Sequence, residues 1–299
     1  MRHAVLGAGG VGGLVGGALA KAGHPVTLLV RPGRRNLYPE RLSVQSEPFG
    51  NFEAPVRVAD RLDEQLDEHF DIVWIAVKAA ALESALSSIP PEVLGDGVLV
   101  PLLNGVDHVR RLRDWYGAER VLPGTIRVEA EQAEPGRVRH LSAFADVQVA
   151  PNPATRIRAE TLCEELRDAG VGCEVRDDET TMLWSKLCFL APFALATTAS
   201  EGSLGGVRAD AGRWASLEQC VDEACAVGVA EGAKVAPEPI LTALEGLPNG
   251  FRSSMQKDVA AGRVPELDAI AGPILRGGDE HGIEVSATRS LVEWVVALE

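Results

Sequence analysis

Val5-Leu6-Gly7-Ala8-Gly9-Gly10-Val11-Gly12-Gly13 is the stretch whose reading decides the fold. Residues 3–6 read as a short buried strand, Gly7, Gly9 and Gly12 form G-x-G-x-x-G, and Val11 to Ala22 keeps helical spacing up to Gly23. His24-Pro25-Val26-Thr27-Leu28-Leu29-Val30 then reads as a second strand, which completes a strand–helix–strand unit within about 30 residues. In such a unit the first glycine permits the turn and the second lets a pyrophosphate approach the backbone. The third lets helix and strand pack closely, so that the helix N-terminus meets the phosphates. The stretch predicts a dinucleotide site built on Gly7, Gly9, Gly10, Val11 and Gly12, against the plainer reading of a glycine-rich turn with no ligand.

The end of the second strand is where the ribose of a dinucleotide lies. A carboxylate there would specify NAD, but this chain has Arg31, followed by Arg34 and Arg35, and a guanidinium suits a 2′-phosphate. NADP is the expected cofactor, with a solvated basic turn as the alternative. Further on, Asp71-Ile72-Val73-Trp74-Ile75-Ala76-Val77 is a continuous apolar run that suits a central parallel strand, and it ends in Lys78. Gly97 to Leu103 is another such run, ending in Asn104-Gly105. Both Lys78 and Asn104 fall at the carboxyl edge, where doubly wound sheets bind ligands. A solvated lysine and an Asn-Gly turn remain open as alternatives at these two positions.

The chain has 299 residues, 46% of them hydrophobic and 24% charged, which suits two globular domains. A formal charge of -14, with one tight basic cluster after residue 30, argues against nucleic acid as a partner. No signal-type start and no uninterrupted apolar run of membrane-spanning length are expected, so the reading is cytoplasmic with no membrane partner. Five cysteines without a C-x-x-C pair read as buried free thiols, and six histidines without H-x-x-H spacing indicate no metal site.

Residues 42–45 and 56–58 read as additions at the sheet edge. Three alternating stretches near residues 124–128, 137–141 and 146–149 read as an antiparallel extension. A helix from Thr155 to Ala169 and a strand at Gly172-Cys173-Glu174-Val175 complete an α/β domain of Rossmann type over residues 1–176. Residues 177–299 keep helical spacing and form an all-α domain. Within it, Lys186 sits in the apolar helix Met182-Leu183-Trp184-Ser185-Lys186-Leu187-Cys188-Phe189-Leu190, either snorkelling to the surface or retained for its charge.

Gly7 to Gly12, Arg31, Lys78, Asn104-Gly105, Trp184-Ser185-Lys186-Leu187, Ser253-Ser254-Met255 with Asp258, and Glu266-Leu267-Asp268 together resemble the ordered landmarks of ketopantoate reductases (2-dehydropantoate 2-reductases). The resemblance implies an NADP-binding Rossmann domain joined to a helical domain, with the active site between them. It implies that Lys186 protonates the alkoxide formed from the keto group, that Glu266 assists, and that Ser254 contacts the substrate. A small-molecule carbonyl compound is then the expected partner, with a homodimer as the assembly to test. Read on its own, Glu266 after Pro265 only complements a helix start.

One departure stands out. The family commonly carries asparagines four and eight positions after the lysine, on its helix face, and here those positions are Leu190 and Ala194. The residues therefore favour NADPH-dependent reduction of a 2-keto acid and leave ketopantoate itself open. A reductase of a less polar carbonyl or imine, or a non-catalytic NADP sensor, are the competing expectations.

Overall fold

The apolar residues at the start of the chain form β1 (His3–Leu6), buried at every position. Gly7 turns the chain into α1 (Gly10–Lys21), which is followed by β2 (Val26–Leu29), β3 (Arg41–Ser46), β4 (Phe52–Pro55), β5 (Arg57–Ala59) and β6 (Ile72–Ile75). After the short helices α2 (Leu82–Leu86) and α3 (Pro91–Leu94) come β7 (Val98–Pro101), α4 (Asp107–Tyr116), β8 (Gly124–Arg127), β9 (Ala130–Glu134), β10 (Arg137–His140), β11 (Asp146–Val149), α5 (Arg156–Asp168) and β12 (Gly172–Val175). This computed structural model describes residues 1–62 and 69–298. Its chain divides into two units, Met1–Leu103 with His108–Glu179 and Asn104–Asp107 with Thr180–Glu299.

The first unit is built on five parallel strands in the order β5-β2-β1-β6-β7. Because β1 pairs with both β2 and β6, the strand order reverses there, and the switch point between β1 and β6 is where such sheets bind ligands. Of the expected edge additions, residues 57–59 join the edge of this sheet as β5 whereas residues 41–46 do not, and the three later alternating stretches divide between two further sheets. β3 alternates in burial because Leu42 and Val44 pack on α1, and it joins a separate sheet, β4-β3-β10-β9. The glycines of α1 make that packing possible: a Cβ on Gly17 would lie 2.8 Å from Val44, and one on Gly13 would lie 2.6 Å from Val138 of β10. Residues 130–134, which carry no apolar alternation, join this sheet as β9. The third sheet, β12-β11-β8, meets β7 through a parallel bridge from Leu99 to Val121.

The cysteine reading needs one correction. Cys163 of α5 and Cys173 of β12 are joined as a disulfide, whereas Cys188, Cys220 and Cys225 are buried free thiols. Gly170, with φ of +87°, turns the chain back on itself so that helix and strand bring these two Cα atoms within 4.9 Å.

The second unit is helical: α6 (Glu179–Ala199), α7 (Leu204–Arg208), α8 (Ala211–Ala230), α9 (Pro237–Glu245), α10 (Ser254–Ala260), α11 (Leu267–His281) and α12 (Ser286–Val296). Its core gathers Leu187 and Leu195 of α6, Leu217 and Val221 of α8, Ile274 of α11 and Val295 of α12, all at most 1% exposed. Among the described helices, α6 alone is long and apolar enough to cross a membrane by length and composition, although Lys186 interrupts its apolar run. Since 72% of its most apolar window is buried inside the fold, it has the character of a core helix.

Candidate active site

At the switch point, the glycine turn is shaped by contacts that only glycine allows. Gly7 has φ of +99°, and a Cβ there would lie 2.8 Å from the carbonyl of Ala76, just past β6. Gly12 is tighter still, because a Cβ would lie 2.2 Å from the Gly7 carbonyl oxygen. Gly9 is different: a Cβ there meets nothing within 4 Å, so the glycine leaves open space at the N-terminus of α1. Gly9 is also the N-cap of that helix, with no side-chain cap and no acidic residue in the first turn. The free N–H groups and the open surface over Gly9 fit a pyrophosphate. Gly10 and Val11 open α1, and Gly10 packs on the Ala130 backbone of β9.

Arg31 is exposed just beyond β2, with Arg34 and Arg35 beside it in the next turn. Lys78 is exposed three positions past β6 and leads into a 3₁₀ turn at Ala79–Ala81. Both belong to the first unit, at the carboxyl ends of the two strands that flank β1.

The chain of the second unit gathers a different set. Lys186 is partly buried on α6, where burial pushes its ammonium down from 10.5 to about 8 while the Glu266 carboxylate pulls in the opposite direction. Glu266 is the N-cap of α11, and its Oε2 accepts a hydrogen bond of 3.2 Å from Asn104 Nδ2. Asn104, placed at the cofactor edge by the sequence, thus sits on Glu266 and belongs with the helical unit.

Gly105 is what allows this approach, since a Cβ on it would lie 2.2 Å from the Ala269 carbonyl of α11. Arg276 clamps the same loop: its guanidinium donates to Asp107 Oδ2 at 2.5 Å and to Asp268 Oδ1 at 2.7 Å. Sequence reading missed this clamp, because nothing in the spacing of Asp107 and Arg276 pairs them.

Ser254 is exposed at the first position of α10. Its neighbour Ser253 is buried, accepts from the Gln256 backbone N–H at 3.0 Å as the helix cap, and shares a 2.9 Å hydrogen bond with Thr197 of α6. Leu190 is partly buried and Ala194 fully buried on α6.

His3, His24 and Glu165 also bring ligand-type atoms within 4.8 Å of one another, which the sequence did not suggest. Trp74 Nε1 donates to His3 Nδ1 at 3.3 Å, so the neutral ring carries its proton on Nε2, directed at Glu165 Oε2 at 3.1 Å. Burial lowers the His3 pKa, against the opposing pull of the Glu165 carboxylate. With both ring nitrogens engaged, the group serves to tie α5 to β1.

A family model described as Ketopantoate reductase PanE/ApbA matches residues 3–153, and its partner, Ketopantoate reductase PanE/ApbA C terminal, matches residues 178–299. The chain is 31% identical to the uncharacterized oxidoreductase YkpB of Bacillus subtilis, covering 99% of this chain and 97% of that one. It is 30% identical to a 2-dehydropantoate 2-reductase of Caulobacter vibrioides, covering 97% and 96% of the two chains. Among solved structures it shares the fold of D-mandelate dehydrogenase in ternary complex with NADH and anilino(oxo)acetate, with a TM-score of 0.88 at 20% identity over 100% of this chain and 98% of the other. A Rossmann unit with an open glycine turn, a helical unit with a lysine facing a carboxylate, and matches across both units show that the chain belongs to the ketopantoate reductase PanE/ApbA family of nicotinamide-dependent oxidoreductases.

Proposed function

We propose that the protein reduces a 2-keto acid to the 2-hydroxy acid with NADPH, ketopantoate to pantoate being the family reaction. The observation that carries this reading is Lys186, a lysine held in an apolar helix with its charge balanced by Glu266. The bound nicotinamide supplies the hydride. As the keto oxygen gains negative charge, the Lys186 ammonium stabilises it and donates a proton from Nζ, leaving a neutral amine that solvent reprotonates. Glu266 keeps the amine charged against the pull of burial, and Asn104 fixes the carboxylate that does so. Ser254 is the proposed polar contact for the substrate.

Cofactor choice rests on Arg31 at the end of β2, whose guanidinium suits a 2′-phosphate, with Lys78 as a second cation at the same sheet edge. The cytoplasm is the proposed location and a homodimer the proposed assembly. Absorbance of NADPH and of NADH, followed across a panel of 2-keto acids, tests the reading. Turnover with NADPH, and an Arg31→Glu variant that loses the preference for it, are the expected results. Tight NADPH binding with no reduction of any carbonyl compound would instead mark a sensor.

A further inference from the structure

The face of α6 that carries Lys186 continues through positions 190, 193 and 197, successive turns of the same helix. Those residues are Leu190, Phe193 and Thr197. The segment leading into α10 is fastened along this face: the Phe251 ring lies 5.7 Å from Phe193, and Ser253 is bonded to Thr197. Phe189 adds a third ring, 6.2 Å from Phe193. Leu190, Phe189 and Phe251 each keep part of their surface exposed.

The hydroxyls on this strip have other partners. Thr197 donates to the Phe193 carbonyl at 2.7 Å and shares its oxygen with Ser253, which in turn accepts from the Gln256 backbone. A hydroxyl on a substituent laid against Leu190 and Phe251 would find the Thr197 and Ser253 hydroxyls already engaged with each other and with the backbone, and a site that leaves such a group unpaired discriminates against it. A hydrocarbon group meets the opposite condition, with leucine and ring faces to cover it.

We infer that this strip receives the substituent on the keto carbon, and that the protein prefers 2-keto acids bearing an aryl or branched alkyl group over hydroxylated ones such as ketopantoate. The inference rests on Lys186 as the proton donor and adds the character of the group beside it.

The test compares kcat/KM, with NADPH, for phenylglyoxylate, 4-methyl-2-oxopentanoate and ketopantoate. The first two should exceed ketopantoate by on the order of 100-fold. Leu190→Asn and, separately, Phe251→Asn should each move that ratio at least about 10-fold toward ketopantoate. Since Leu190 is partly exposed, its variant keeps the test valid if Phe251→Asn fails to fold. A ketopantoate kcat/KM equal to or above both hydrocarbon acids overturns the inference. If none of the acids is reduced, the reductase reading fails on its own account. The strip is then judged by the thermal shift of the NADPH-loaded protein: a larger shift with the hydrocarbon acids upholds it, and an equal or larger one with ketopantoate overturns it.

Discussion

Asn104 donates its side-chain N–H to Glu266 Oε2 at 3.2 Å, joining residues 162 positions apart in the chain. With Gly105 against Ala269 and Arg276 between Asp107 and Asp268, this hydrogen bond holds the loop after β7 onto the first turn of α11. The carboxylate that opposes the burial of Lys186 is therefore fixed by a residue from the other end of the sequence.

Asn104→Ala should lower kcat by about 10-fold, the effect of losing roughly 1.4 kcal/mol of orientation, while leaving the NADPH Kd unchanged. Steady-state kinetics and a cofactor titration read the two quantities separately. A weakened Kd with unchanged kcat would give Asn104 to the cofactor.

The pH profile should report Lys186. Because reduction needs the ammonium, kcat/KM for the keto acid should be flat at low pH and fall as pH rises through about 8, the value to which burial lowers this group. Oxidation of the hydroxy acid should rise over the same interval. Glu266→Gln removes the influence that raises the pKa and should move the midpoint downward; an unmoved midpoint would uncouple the two residues. The stability effect has the opposite sense to that of a favourable ion pair. The folded value lies below the unfolded 10.5, so charging Lys186 costs folding free energy below about pH 8, and that cost fades as pH rises toward the unfolded value. Lys186→Met should therefore raise Tm at pH 7 more than at pH 10.

The glycines of the turn should separate into two behaviours. Gly9→Val places a side chain in open space over the N-terminus of α1, so it should fold with an unchanged Tm and lose NADPH binding. Gly12→Ala forces a Cβ to 2.2 Å from the Gly7 carbonyl and should cost about 3 kcal/mol of stability. Thermal melts with and without NADPH distinguish these outcomes, and equal melting points for the two variants would contradict the packing described.

Glu223 should prove a stability residue of the helical unit. Its buried carboxylate accepts from the backbone N–H groups of Ala287 and Thr288, both at 2.8 Å, and from the Thr288 hydroxyl at 2.7 Å, closing the N-terminus of α12. Glu223→Ala leaves these three buried donors, besides the exposed Gln219 amide, without their acceptor and should cost about 3 kcal/mol, whereas Glu223→Gln should cost less. Chemical denaturation measures both, and a cost below about 1 kcal/mol for the alanine variant would argue against the cap.

What the sequence displayed was local. The β1–α1–β2 unit was legible because its signals are a short apolar run, three spaced glycines and a helical period, all set by neighbours in the chain. Lys186 was visible as a charge inside an apolar helix. The partition of the later strands into separate sheets was not legible, because short alternating strands such as Leu42-Ser43-Val44 fix which face is buried and not which strand they pair with. The polar segment Ala130–Glu134 gave no strand signal at all, and pairs with Arg137–His140 only because the two run antiparallel across a turn. The disulfide between Cys163 and Cys173, the Glu223 cap and the hold of Asn104 on Glu266 all depend on tertiary approach, which spacing does not encode.

Lys186→Ala, assayed with NADPH and the best 2-keto acid substrate, tests the central claim most directly. Lys186 and the glycine turn lie in different units, so the variant should bind NADPH as the unaltered protein does. Its turnover should fall by roughly two to four orders of magnitude, the scale of a general acid together with its charge. A Lys186→Ala protein with full turnover would contradict the account.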